Sequence, residues 1–148
     1  MIGTLATVAL GSHLPVGFVG DPPLVTANFD ETVHLNSDRV KFQTKGPTDV
    51  RVQRNVFSPG GRSGWHHHPG VVIVAVQSGA VTSTHSDCSS KTYGPGLPNG
   101  AVFAEGGDDP TQASSTTGAT VYVTYVAPNE GPVTPTTFRT EDTPISCP

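Results

Sequence analysis

The feature that most constrains this chain is its punctuation. Seventeen glycines and 14 prolines fall among 148 residues, about one in five, where an average chain carries roughly 12% of the pair. The runs between these breaks are short and rich in Val and Thr, which suit a pleated, half-buried backbone. No segment of a dozen residues shows helical periodicity with caps. Strand-like runs instead recur roughly every 8–12 residues, the rhythm of an all-β sandwich or barrel.

Along the chain, residues 1–31 carry few strand signals, contain Asp21-Pro22-Pro23 and read as an N-terminal arm. Thr32–Leu35 and Arg39–Thr44 are short strand candidates. Asp49–Phe57 alternates well, with Val50, Val52 and Val56 on one face and Arg51, Gln53, Asn55 and Phe57 on the other. Ser58-Pro59-Gly60-Gly61 is expected to end that strand. Val71–Val76 is nearly continuous in apolar residues, as in a strand buried on both sides or lining a barrel. Gln77-Ser78-Gly79 turns the chain into Ala80–His85, and Asp87–Lys91 reads as a polar loop. Ala101–Glu105 is a short apolar run broken by Gly106-Gly107-Asp108-Asp109-Pro110. Thr120–Val126 is a strong β-branched and aromatic strand. Residues 129–148 form a Pro/Thr-rich tail, expected to pack on the barrel and to hold one edge strand near Thr137–Arg139. The domain expected from this pattern is a barrel over residues 32–128.

Charged residues make up 14% of the chain and the net charge is −4, with no block of Lys or Arg. Nucleic-acid binding depends on neutralising phosphates, and this chain has little with which to do it. Electrostatic docking to a membrane is disfavoured for the same reason, and no apolar run reaches the roughly 18 residues needed to span a bilayer. The N-terminus admits two readings. Met1–Leu10 is weakly apolar, and Val25-Thr26-Ala27 resembles a signal-peptidase site. Against a secretion signal, a basic start is missing, and Ser12, His13 and Pro15 interrupt the apolar stretch. Cys88 and Cys147 are neither in a CxxC motif nor near the histidines, which disfavours a thiolate metal site. They are either a disulfide tying the tail down, as in a secreted protein, or two thiols.

The chemistry-bearing cluster is Trp65-His66-His67-His68-Pro69-Gly70. In extended backbone His66 and His68 project to one side and His67 to the other. Two imidazoles so placed can share one metal ion, and a third donor must come from another strand. Glu105, Asp108, Asp109 and His85 are the candidates, with Gln77 and His34 behind them. For His85 a solvated strand end is the simpler reading, and for Asp108 and Asp109 a turn before Pro110. Glu105 ends an apolar strand, where a buried carboxylate needs a partner. His67 reads as a packing or supporting residue, Trp65 as barrel packing or a stacking platform, and Tyr93, Tyr122 and Tyr125 as strand residues. Phosphate loops and nucleophile elbows are absent from the sequence.

The spacing of Gly60, His66, His68 and Gly79 resembles the first motif of the cupin superfamily: Gly, five residues, His-x-His, three or four residues, Glu, six residues, Gly. Trp65–Gly70 is similar to the form found in small single-domain bacterial cupins, and the likeness runs over residues 50–128. It implies a double-stranded β-helix (an RmlC-like jelly roll), a pocket at the barrel mouth for a small organic molecule, and a divalent metal: Fe, Mn, Zn or Ni. Two family ligands are missing. The glutamate position falls on Val72, and the second-motif histidine position falls on Asp109, with Pro110 as the alternative register. The resemblance therefore implies a site of His66 and His68 completed by Glu105 or Asp109. Two histidines and a carboxylate also form the facial triad of non-haem iron sites.

Three functions fit. The first is a metal-dependent enzyme of oxygenase or isomerase type. The second is a metal-free epimerase-like enzyme using a histidine–carboxylate pair. The third is a non-enzymatic secreted binding barrel. Exposed strand edges would also invite a homodimer.

Overall fold

The computed structural model describes residues 14–148, so Met1–Leu10 lies outside the described residues. Two antiparallel sheets face each other. The first holds β5 (Thr48–Arg62), β7 (Val71–Gly79), β10 (Val102–Gly106) and β12 (Ala119–Pro128), in the order β10-β7-β12-β5. The second holds β6 (His66–His67), β8 (Val81–His85), β9 (Ser90–Tyr93) and β11 (Thr111–Ser115), in the order β9-β8-β11-β6. Apart from the β8–β9 hairpin, successive strands from β6 to β12 cross between the sheets, which is the double Greek-key winding of a jelly roll. The chain is thus an all-β barrel of the double-stranded β-helix type, and no helix forms among the described residues.

β5 passes from one sheet to the other. Its first part pairs with β12, and its last residues, Gly61 and Arg62, pair with Ser115 and Ser114 of β11. Ser58–Gly61 therefore turns a barrel corner and does not end the strand as expected. Gly60 sits at φ +75°, and a Cβ on Gly61 would lie 2.4 Å from the Gly17 carbonyl oxygen. Glycines at these positions let the strand bend while keeping its pairing.

The core is largely valine. Val72, Val74 and Val76 of β7 meet Val121 and Val123 of β12, and Phe57, Val81 and Phe103 close the cluster. Val71 and Ile73, on the other face of β7, are 53% and 44% exposed. The strand thus lines the barrel on one side only and is not buried on both. β5 keeps the alternation read from its sequence, but the row turned inward is the polar one. Phe57, Asn55, Gln53 and Arg51 lie opposite Ala119, Val121, Val123 and Tyr125, the inward row of β12.

Three regions differ from expectation. β1 (Val16–Gly20) and β2 (Val25–Phe29) are strands paired to β5, where few strand signals stood. They cover an otherwise free edge, the general remedy for unpaired strand groups. β9 lies partly in the stretch read as a polar loop, and β11 has an almost wholly polar sequence. In the tail the strand is β13 (Thr140–Glu141), paired to β6, and not Thr137–Arg139. Phe138 is instead buried. β3 (His34–Asn36) and β4 (Lys41–Gln43) make a separate exposed hairpin. Cys88 and Cys147 form a disulfide that ties the tail to the β8–β9 loop.

Candidate metal centre

His66 and His68 are each 3% exposed and aim into the barrel. Their rings meet edge to face with centroids 4.8 Å apart. Each ring is fixed by a backbone carbonyl. His66 Nδ1 lies 2.9 Å from Gly64 O, and His68 Nδ1 lies 2.5 Å from Phe138 O. A carbonyl oxygen only accepts, so both Nδ1 atoms must carry the proton and donate. Both Nε2 atoms are then left with a free lone pair, the arrangement that orients metal-ligating imidazoles.

Glu105 supplies the carboxylate. It lies in register with Val72 across the β10–β7 ladder. The acid missing at position 72 is thus present on the neighbouring strand at the same level of the barrel. Ser83 donates to Glu105 Oε1 at 3.0 Å, and Glu105 Oε2 stands 3.7 Å from His68 Nε2. That distance is too long for a hydrogen bond, so His68 Nε2 is buried with no hydrogen-bond partner. One ligand atom each from His66, His68 and Glu105 lie within 4.8 Å of one another, all buried.

The electrostatics suit a cation. Burial first, then the Arg139 guanidinium and His68, push the His66 pKa down to about 3, so its ring is neutral at neutral pH. For Glu105, burial acts to raise the pKa. His68, His66 and the Ser83 hydroxyl outweigh it, and the carboxyl lies below its usual range and stays ionised. A buried, ionised carboxylate beside two imidazoles, one of them with Nε2 unpaired, is a donor set that fits a divalent cation.

The other expected donors lie elsewhere. Asp109 does not join the cluster. Its carboxylate accepts from His85 Nδ1 at 2.9 Å and Ser86 Oγ at 2.6 Å at the rim, which hold its pKa below the usual carboxylate range. Asp108 is an exposed turn residue at φ +61°, and His34 and Gln77 are exposed. His67 points outward and pairs with Asp142 at 2.9 Å. Trp65 is buried and lines none of the site cavity, while its carbonyl accepts from the Asp142 amide. The sequence held no signal for Phe138 O, which settles the His68 tautomer, or for Arg139, which donates to Ser63 O beside the cluster.

Around the three side chains lies a cavity of about 30 Å³, enough for an ion and a water or so. It shares Phe18, Asn55, Tyr125 and Arg139 with an outer funnel of about 310 Å³.

No family model matches the sequence, and no curated protein matches it. Among solved structures, the chain is similar to a conserved protein of unknown function from Streptococcus pyogenes, at 18% identity over 68% of this chain and 77% of that one, with a TM-score of 0.49. It is similar to the DMSP lyases RdDddP and RnDddQII at 18% identity, over 63% of this chain and 44% of that one, with a TM-score of 0.49. Salicylate 1,2-dioxygenase from Pseudoaminobacter salicylatoxidans follows at 15% identity, over 51% and 19%, with a TM-score of 0.44. The chain spans less than half the length of the last two. By its own strand order this is a jelly-roll barrel, and inside it lies a buried His-His-Glu cluster.

Proposed function

We propose that the protein binds one divalent metal ion through His66 Nε2, His68 Nε2 and Glu105, and acts on a small organic molecule that reaches the ion from the funnel. The observation that carries this reading is His68 Nε2: a buried, correctly oriented acceptor with no hydrogen-bond partner, beside an ionised carboxylate. A metal there would supply Lewis acidity or a site for dioxygen. The chain's own groups do the rest. Gly64 O and Phe138 O hold the rings, Ser83 holds Glu105, and the valine walls keep water out.

Metal analysis of protein purified without chelator tests the reading. About one equivalent of metal is expected, lost in His66→Ala, His68→Ala and Glu105→Gln. A wild-type protein free of metal overturns it. The 3.7 Å approach of His68 to Glu105 favours a second reading, a metal-free acid–base pair. That reading predicts activity that survives complete metal removal.

A further inference from the structure

The outer funnel is polar where a barrel core is usually apolar. Its floor is the inward row of β5, Arg51, Gln53 and Asn55, faced by Tyr125, Phe138 and Arg139. Each cation there has a distinct partner. Arg139 is bound by Glu141, at 2.7 Å through Nε and 3.1 Å through Nη2, and so is largely neutralised. Arg51 has no such acid. Its Nε donates to Thr26 Oγ1 at 3.3 Å, and its guanidinium stacks 4.2 Å over the Phe138 ring. Asp49, on the same face of β5, accepts from Asn129 and forms no ion pair with Arg51. A stacked guanidinium is held as a flat fork, and its remaining donors match a carboxylate.

A second observation points to a ligand in the same place. Asn55 is 3% exposed and lines both the inner cavity and the funnel. Its Nδ2 donates to the Tyr125 hydroxyl at 3.4 Å, while Oδ1 is buried without a partner. Such a group costs free energy unless something binds it.

We infer that the funnel selects a small organic carboxylate. Arg51 holds the carboxylate group, and Asn55 hydrogen-bonds a polar substituent on the side facing His66, His68 and Glu105. The inference rests on reading that cluster as a small-molecule site, and it adds the class of molecule and the residue that selects it.

The test uses the full protein, purified without chelator, and a panel of linear, branched and aromatic monocarboxylates. Each acid is paired with its neutral amide, and inorganic phosphate serves as a plain anion. Binding is followed by heat and by ligand-observed NMR. At least one carboxylate is expected to bind, with its amide about tenfold weaker or more and phosphate failing to displace it. Arg51→Gln should weaken binding by a similar factor with metal content unchanged. Arg51→Lys, which keeps the charge and the stem, should retain the preference for acid over amide. The inference is overturned if no carboxylate binds, if amides bind equally, if phosphate competes equally, or if a folded Arg51→Gln protein binds as the wild type does. The two readings fail separately. Carboxylate binding that depends on Arg51 in a metal-free protein sinks the metal reading alone. A metal-replete protein indifferent to carboxylates sinks this one alone.

Discussion

The two sheets of the barrel are built from different chemistry. The β10-β7-β12-β5 sheet turns Val72, Val74, Val76, Val121, Val123, Phe57 and Phe103 inward. The β9-β8-β11-β6 sheet turns in His66, Ser83, Thr111, Ala113 and Ser115, with Val81 and the half-buried Tyr93 as its large apolar side chains. One wall holds the fold together by removing apolar surface from water. The other is tied mainly by hydrogen bonds, such as Ser115 Oγ to Ala80 O and Ala113 N to Ser63 Oγ, and it presents His66, with His68 just past the end of β6. The arrangement teaches a division of labour. The valine wall can hold a polar wall in place, and the polar wall is then free to carry a site. Glu105 sits on the valine wall, two residues beyond Phe103, where the two chemistries meet.

Truncating the valine wall should do the most damage. Phe57→Ala is expected to cost about 3–5 kcal/mol of stability, read by urea unfolding, and a cost below about 1 kcal/mol would break the division. Reducing Cys88–Cys147, whose residues are 59 apart in sequence, should remove roughly 4 kcal/mol on the chain-entropy account. The tail strand should loosen first in hydrogen exchange, since β13 is held by only two paired residues.

The polar wall should respond to acid. His66 is neutral when folded because its pKa falls from 6.5 to about 3. Between those values the unfolded chain binds the extra proton. Stability of the chelator-treated protein is therefore full above pH 6.5 and falls as pH drops towards 3, by at most about 1.4 kcal/mol per pH unit. Glu105, depressed when folded, adds loss of the same sign at the acid end. A urea midpoint that does not change between pH 7 and pH 4.5 would contradict the burial of His66.

Ser83→Ala frees Glu105 Oε1 and should weaken metal binding by about 10–100-fold, with a folding cost of about 1–3 kcal/mol. Asp109→Ala should leave metal content unchanged and stability within about 0.5 kcal/mol, because Asp109 holds only His85 and Ser86 at the rim.

What could be read in advance follows the same division. The valine strands announced themselves as a nearly continuous apolar run at Val71–Val76 and a β-branched, aromatic run at Thr120–Val126, and His66 and His68 through their spacing and the Gly60–Gly79 frame. β11, Thr-Gln-Ala-Ser-Ser, gave no such signal, because its inward residues are small and polar and its partners lie far away in sequence. The face that β5 turns inward was equally hidden. Alternation fixes two faces but not their direction, and the polar face points in because it lines a cavity. For the third donor, the sequence left Glu105 and Asp109 both open, with a turn before Pro110 already the simpler reading of Asp109. Strand register separated them: Glu105 faces the interior beside Val72, while Asp109 falls past the strand end, in the turn.

The carbonyl of Phe138 has a consequence in time. It fixes the protonated nitrogen of His68, yet it belongs to a segment synthesised after every strand of the two barrel sheets. Until that segment docks, His68 can present either nitrogen to the interior, and a passing cation meets an unfinished pair of ligands. On the proposed metal-binding function, capture of the ion should therefore be a late event in the life of a new chain, following closure of the barrel and the seating of its C-terminal strap.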